Sequence, residues 1–416
     1  MNDETREKIE YVFDAENAWV AIKRYKENEK TLKDYSFLWF VPEEDRVGAE
    51  VPSQVKEIGN VRNDCPKLCL PWMESYHYLL INAFTSNNAS VKLKFGNEIF
   101  FDTNVISNME KIKQGNEFGD KEDCQSFLAG IDKIRFGEVE QEFNFNATPY
   151  IMENLCKKEM DRTIVWENLV TFFSYENLGC SALGNEHSKN SEYELIRADV
   201  AINSISKEGR DIIDGWKTAY ELLLLILAEK VLINDKSITK LFKCFYDEVG
   251  LVSPREACLF KSIYDSTIKM VNKKDDFLFF NPILNLKENS SPDKLFRKIN
   301  SMAWDLTHLM IAIKNTASKI SSANNIIWVT HFATFDRGLA QICSLAPLKA
   351  IVCSKDYFLP RLQDSQNNEI SAILEEIQND SPTYEQISRQ RVSKFSSIGR
   401  RIEEIKESIR TLLGTR

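Results

Sequence analysis

Apolar and polar positions change rhythm several times along the chain, and the changes mark its elements. Residues 5–26 place Ile9, Val12, Phe13, Trp19 and Ile22 at helical spacing. Residues 35–41 are an aromatic-rich run closed by Pro42, the pattern of a strand. Pro52, Pro66 and Pro71 break up the next stretch, and residues 76–84 read as helical or buried. Next comes I-F-F-D-T-N-V-I-S, residues 99–107, in which three apolar residues run into Asp102. A short apolar run of this kind is a buried-strand pattern. An acid at its carboxyl end sits where open α/β sheets place their chemistry.

Residues 103–137 are polar and partly helical, punctuated by Gly115, Gly119, Gly130 and Gly137. Residues 143–145 read as a second short strand. In A-T-P-Y-I-M-E-N-L, residues 147–155, Thr148 is the expected N-cap and Pro149 the first helical position, which puts Glu153 near a helix entrance. Long helices dominate from 157 to about 290, with the polar run 186–194 as an exposed loop and no repeat period. Ser291-Pro292-Asp293 restarts a helix that runs through Leu295, Ile299, Met302, Leu306, Leu309 and Ile313 and carries Asp305. Residues 326–329 form another buried-strand pattern, and Asp336 lies just past it. Residues 348–353 repeat that arrangement, followed by Asp356. The tail from 381 is helical. Its apolar positions 395, 398, 402, 405, 409 and 412 make a coiled-coil seam, to be covered by the core or by a second subunit.

Length and charge narrow the picture. A chain of 416 residues holds two or three domains, or one domain with a large insertion. Its formal charge of −9 means that the whole surface does not attract nucleic acid, so a polyanion must be met by a local patch or by metal ions. The tail from Arg389 to Arg416 supplies such a patch, with eight basic residues against three acids. Arg389, Arg391, Lys394, Arg400 and Arg401 are the candidate contacts to a nucleic-acid backbone. Cys65 and Cys69 are the one close cysteine pair, and no second pair completes a zinc site. The charged N-terminus has no signal core, and the apolar run 222–228 is too short to span a bilayer. A reducing, cytoplasmic setting is expected.

The four acids in their order resemble the PIN-domain nuclease superfamily. The first motif, a strand running into an acid, is F-F-D-T-N-V with Asp102. The second, an acid early in a helix, is T-P-Y-I-M-E with Glu153. The third, an acid in a helix before a strand, is A-W-D-L-T-H with Asp305. The fourth resembles the family's Thr-x-Asp signature and is T-F-D, with Thr334 and Asp336. The resemblance implies a doubly wound parallel sheet flanked by helices, in two pieces, 96–157 and 291–360. A helical insertion, 158–290, separates them, with an N-terminal extension, 1–95, and a C-terminal helical tail, 361–416.

The resemblance also implies an activity: hydrolysis of phosphodiesters, RNA ahead of DNA, by a Mg²⁺- or Mn²⁺-activated water. Hard divalent cations prefer carboxylate oxygens, and a paired-ion site steadies both oxygens of an in-line displacement. Asp102, Glu153, Asp305 and Asp336 are then the metal ligands, with Asn104 and Thr334 holding a carboxylate or the scissile phosphate. By family analogy the chain is a toxin-like or phage-defence effector, whose helical insertion narrows the substrate range or holds activity in check until a regulatory partner or trigger arrives. The alternative is a PIN-like scaffold that binds RNA or protein without cutting. His308 and His331 flank two of the acids, but the motifs do not require them, and both read as packed or solvated.

Overall fold

The apolar run that ends on Asp102 is a buried strand in the computed structural model, flanked in parallel on both sides. The structure describes residues 3–41, 51–52, 68–69, 77–87, 94–119, 121–136, 142–156, 161–184, 191–203, 208–228, 238–266, 268–271, 277–280, 291–321, 326–335, 348–355, 357–362, 367–378 and 384–414. Asp336, Asp356, Cys65 and the side chain of His77 lie outside the described part.

Helices α1 (Asp3–Phe13) and α2 (Ala18–Glu27) open the chain, before strands β1 (Ser36–Val41), β2 (Val51–Pro52), β3 (Leu68–Cys69), β4 (His77–Ile81) and β5 (Lys94–Phe101). Helices α3 (Thr103–Lys113) and α4 (Lys121–Arg135) lead to β6 (Glu142–Asn146) and α5 (Thr148–Leu155). Next come α6 (Arg162–Leu178), α7 (Glu192–Asn203), α8 (Glu208–Ile226), α9 (Ile238–Glu248) and α10 (Pro254–Ser266), then a hairpin, β7 (Ile268–Val271) and β8 (Phe277–Phe280). Helix α11 (Pro292–Ser321) precedes β9 (Ile326–Ala333), β10 (Leu348–Ser354) and β11 (Tyr357–Leu362). Helices α12 (Asn367–Gln378), α13 (Tyr384–Lys394) and α14 (Ile398–Gly414) complete the order.

The architecture is mixed α/β and mostly helical, with parallel pairing confined to three strands among the described residues. Strand β5 lies between β6 and β9, pairing in parallel from Gly96↔Glu142 to Phe100↔Asn146 and from Lys94↔Ile326 to Phe101↔Ala333. Both faces of β5 are covered, which explains why Ile99, Phe100 and Phe101 run on without polar alternation. Gly96 is required by this packing, since a Cβ there would come within 2.6 Å of the Trp328 ring on β9. Parallel neighbours need crossovers. Helices α3 and α4 provide the one from β5 to β6, and the chain from α5 to α11 provides the long one to β9.

The second sheet has the order β11-β10-β1-β4-β2 and is antiparallel throughout. Strand β1 alternates strictly. Phe37, Trp39 and Val41 face a core with Ile9, Val12, Phe13 and Tyr25 from α1 and α2, whereas Leu38 and Phe40 join the main core. Residues 36–41 therefore pair with a strand more than 300 residues away, Ser36 with Cys353 and Trp39 with Ala350. Residues 77–81, read as helical or buried, are a strand in which Leu79, Leu80 and Ile81 are buried. Two sequence readings are corrected by this topology: the largely helical region 157–290 holds the β7–β8 hairpin, and 348–354 joins the N-terminal strands rather than the parallel sheet. Local periodicity identifies a strand but carries no information about a partner that far along the chain.

Helix α11 buries Leu295, Ile299, Met302, Leu306, Leu309 and Ile313, its apolar stripe, against α8 and β9. The run 222–228 is buried within the main core, and among the described residues no helix is long and apolar enough to cross a membrane. The seam of α14 is covered within the chain, where Ile398, Ile402 and Ile409 are buried and α14 packs on α8 and α11.

Candidate metal centre

Asp102 stands at the junction between β5 and α3. Its backbone N–H extends the ladder to Ala333 O at 3.0 Å, while its carbonyl accepts the first helical bonds from Val105 and Ile106. With φ −70° and ψ 159° it is the N-cap of α3, and its Oδ1 accepts from Thr103 N at 2.7 Å. The short polar residues after the strand thus end one element and start the next, leaving a carboxylate fixed at the sheet edge. Its other oxygen, Oδ2, accepts from the Thr334 hydroxyl at 2.7 Å. Asn104 ties the arrangement together, donating to Thr334 Oγ1 at 3.2 Å and accepting from Phe335 N at 3.2 Å.

Glu153 comes from α5. This helix begins one residue earlier than expected, with Ala147 at the cap, and Asn146 Oδ1 accepts from Thr148 N at 2.8 Å. Pro149 still lies in the first turn, where its missing N–H costs nothing. The buried face of α5 carries Glu153 inward, and its Oε2 accepts from Thr103 Oγ1 at 2.5 Å. Thr103 therefore joins the two carboxylates, through its backbone N–H to one and its hydroxyl to the other.

The third member is His308, fully buried on α11. Its ring contacts those of Trp304 and Phe332, with centroids 5.6 Å from each. Trp304 stacks in turn on Trp216 of α8 at 5.1 Å and 9°, and Trp216 stacks on Tyr220 at 6.1 Å. One donor atom each from Asp102, Glu153 and His308 lies within 4.8 Å of the others. Donors opposite each other across one ion, at bonds of about 2.0–2.2 Å, stand about 4.0–4.4 Å apart. Two carboxylate oxygens and an imidazole nitrogen from three elements make a donor set that could hold a divalent cation.

The expected residues divide accordingly. Asp102 and Glu153 come together, Thr334 holds Asp102, and Asn104 holds Thr334. Asp305 is buried one turn before His308 on α11 and is not a member of the close group. His308 is the residue of α11 that belongs to that group. The signal for it was the D-L-T-H spacing, which puts both residues on adjoining positions of one helical face. His331 belongs to the core instead. Its Nε2 pairs with Asn97 Oδ1 at 2.9 Å, and burial lowers its pKa to about 3, so the ring is neutral.

The basic tail is largely consumed within the chain, which corrects its reading as an open cationic patch. Arg391 makes a two-pronged contact with Glu256, 2.9 Å on each prong. Lys394 donates to Tyr246 O at 2.9 Å and Asp247 O at 2.5 Å, in the last turn of α9. Arg401 bonds Glu221 at 2.6 and 3.1 Å and lies 3.0 Å from Glu248. The acids of the helical region explain this outcome. Arg389 and Arg400 stay exposed, Arg400 beside Glu404 at 3.5 Å.

The chain matches no family model, no curated protein and no solved structure.

Proposed function

We propose that this protein is a metal-dependent phosphodiesterase that hydrolyses nucleic acid, RNA ahead of DNA, on a PIN-like α/β core. The observation that carries the reading is the convergence of Asp102, Glu153 and His308 at the carboxyl edge of β5 and β9. That edge is where parallel sheets put ligands, and the residues there are those a divalent cation takes up.

Asp102 binds the cation through a carboxylate whose direction is set by Thr334 and Thr103. Glu153 binds it or orients the attacking water, held by the Thr103 hydroxyl. The bound cation, Mn²⁺ or Mg²⁺, supplies charge stabilisation and an acidified water. Trp216 of the helical region stacks on Trp304, whose ring makes a tilted contact with His308, so α8 supports the imidazole from behind.

The test is cleavage of labelled single-stranded RNA, single-stranded DNA and duplex DNA with Mn²⁺, Mg²⁺ or EDTA, beside Asp102→Asn. Metal-dependent cutting of RNA, lost in the variant, is the expected result. Cutting that survives EDTA or the substitution overturns the reading. Equal RNA binding by both proteins with no cutting favours a scaffold.

A further inference from the structure

The family resemblance carries an all-carboxylate site, but the group assembled here contains an imidazole. Resting on the phosphodiesterase reading above, we infer that His308 is a direct nitrogen ligand of the cation. The site then selects a first-row transition divalent ion such as Mn²⁺ over Mg²⁺.

Chemistry gives the first argument. Mg²⁺ is small and hard, demands near-ideal octahedral oxygen coordination and keeps several waters. Imidazole nitrogen instead suits Fe²⁺, Ni²⁺, Cu²⁺ and Zn²⁺ best, and affinity for mixed N/O sites rises along the first-row series from Mn²⁺, its weakest member. A ring nitrogen within 4.8 Å of both carboxylate donors therefore tilts the site away from Mg²⁺.

Geometry gives the second. His308 is fully buried and packs against the rings of Trp304 and Phe332. The far end of α11 is anchored as well. Asn315 and Lys319 lie seven and eleven residues beyond His308, close to two and three helical turns on the same side of the helix. Both donate to Glu98 of β5, the strand that ends at Asp102. Glu98 is buried and also accepts from Asn144 and Asn146 of β6 and from Thr330 of β9. Helix and strand are thus registered at one end by the Glu98 network, four residues from Asp102, with His308 facing the cluster at the other. A ring fixed in this way is pre-organised as a ligand.

The experiment uses the full chain stripped of metal by chelation and dialysis. Mn²⁺ is titrated and the free ion followed by electron paramagnetic resonance, with Mg²⁺ as competitor. Protein labelled with ¹⁵N-histidine is then loaded with Mn²⁺ and examined by pulsed methods for nitrogen coupling. Expected are Mn²⁺ binding at least about tenfold tighter than Mg²⁺, the scale on which ligand changes act, and one imidazole coupling. In His308→Asp the coupling disappears and the Mn²⁺/Mg²⁺ ratio falls by about tenfold. Circular dichroism checks that this variant folds, and His308→Gln, closer in volume, is the second variant. Bound Mn²⁺ with no nitrogen coupling, or an unchanged ratio in the folded variants, overturns the inference while leaving the phosphodiesterase reading intact. A wild-type protein that takes up neither ion overturns both.

Discussion

The Thr334 hydroxyl donates to Asp102 Oδ2 at 2.7 Å, joining two residues 232 positions apart at the ends of adjacent parallel strands. The bond fixes which way the carboxylate points. Thr334→Val keeps the shape and removes the donor, leaving a buried acceptor short of one partner. The expected cost is about 1–3 kcal/mol in thermal unfolding and a loss of about 10–100-fold in Mn²⁺ affinity. Thr334→Ser restores the donor and recovers most of both. A valine variant with unchanged metal affinity would show that Asp102 is oriented by its other contacts.

Glu98 and Lys319 make an unequal pair, 2.5 Å apart, because Glu98 is buried whereas Lys319 is about a quarter exposed (27%). Removing the lysine strands a buried charge among neutral donors. Removing the charge on the acid leaves a lysine that can turn towards water. Lys319→Met is therefore expected to cost about 3–5 kcal/mol, and Glu98→Gln about 1–3 kcal/mol, in urea denaturation. The reverse order would mean that Asn144, Asn146 and Asn315 suffice to stabilise the carboxylate.

His331 makes the fold acid-sensitive. Its folded pKa of about 3 lies below the ordinary 6.5, so below pH 6.5 the unfolded chain takes up a proton that the folded chain refuses. This contribution to stability is complete above pH 6.5 and is lost as the pH falls towards 3, at up to about 1.4 kcal/mol per pH unit. Urea midpoints for the wild type and His331→Gln, taken from pH 7 to pH 4, should converge as the medium becomes acidic. Parallel profiles would contradict a neutral buried ring.

Arg401 and Arg400 are neighbours with opposite fates. Arg401→Met leaves the fully buried Glu221 facing no guanidinium and is expected to cost about 3–5 kcal/mol. Arg400→Ala removes only an exposed contact one turn away and should stay within about 0.5 kcal/mol. Melting curves of the two variants decide this. Similar melting points would mean that Glu221 finds another partner.

The sequence carried local information well and relational information poorly. The apolar run before Asp102 and the Thr-Pro start before Glu153 could be read because each depends on a few neighbouring residues. Whether Asp305 or His308 faces Asp102 depends on the roll of α11 about its axis, and that roll is set by Trp216, Phe332 and Glu98 from distant segments. The basic tail misled for the same reason. Its charges could be counted, but the carboxylates that neutralise them lie 135–180 residues earlier. Strand β10 could be recognised as a strand, while its pairing with β1 could not.

That pairing sets an order of events at the ribosome. With synthesis at about 5–20 residues per second, β1 waits roughly 15–60 s for β10 to emerge, and Asp102 waits nearly as long for Thr334. A nascent chain stopped before residue 308 holds both carboxylates without His308, and one stopped before 334 holds an Asp102 that keeps the Thr103 N–H and lacks the Thr334 hydroxyl. The cluster is thus completed only late in synthesis.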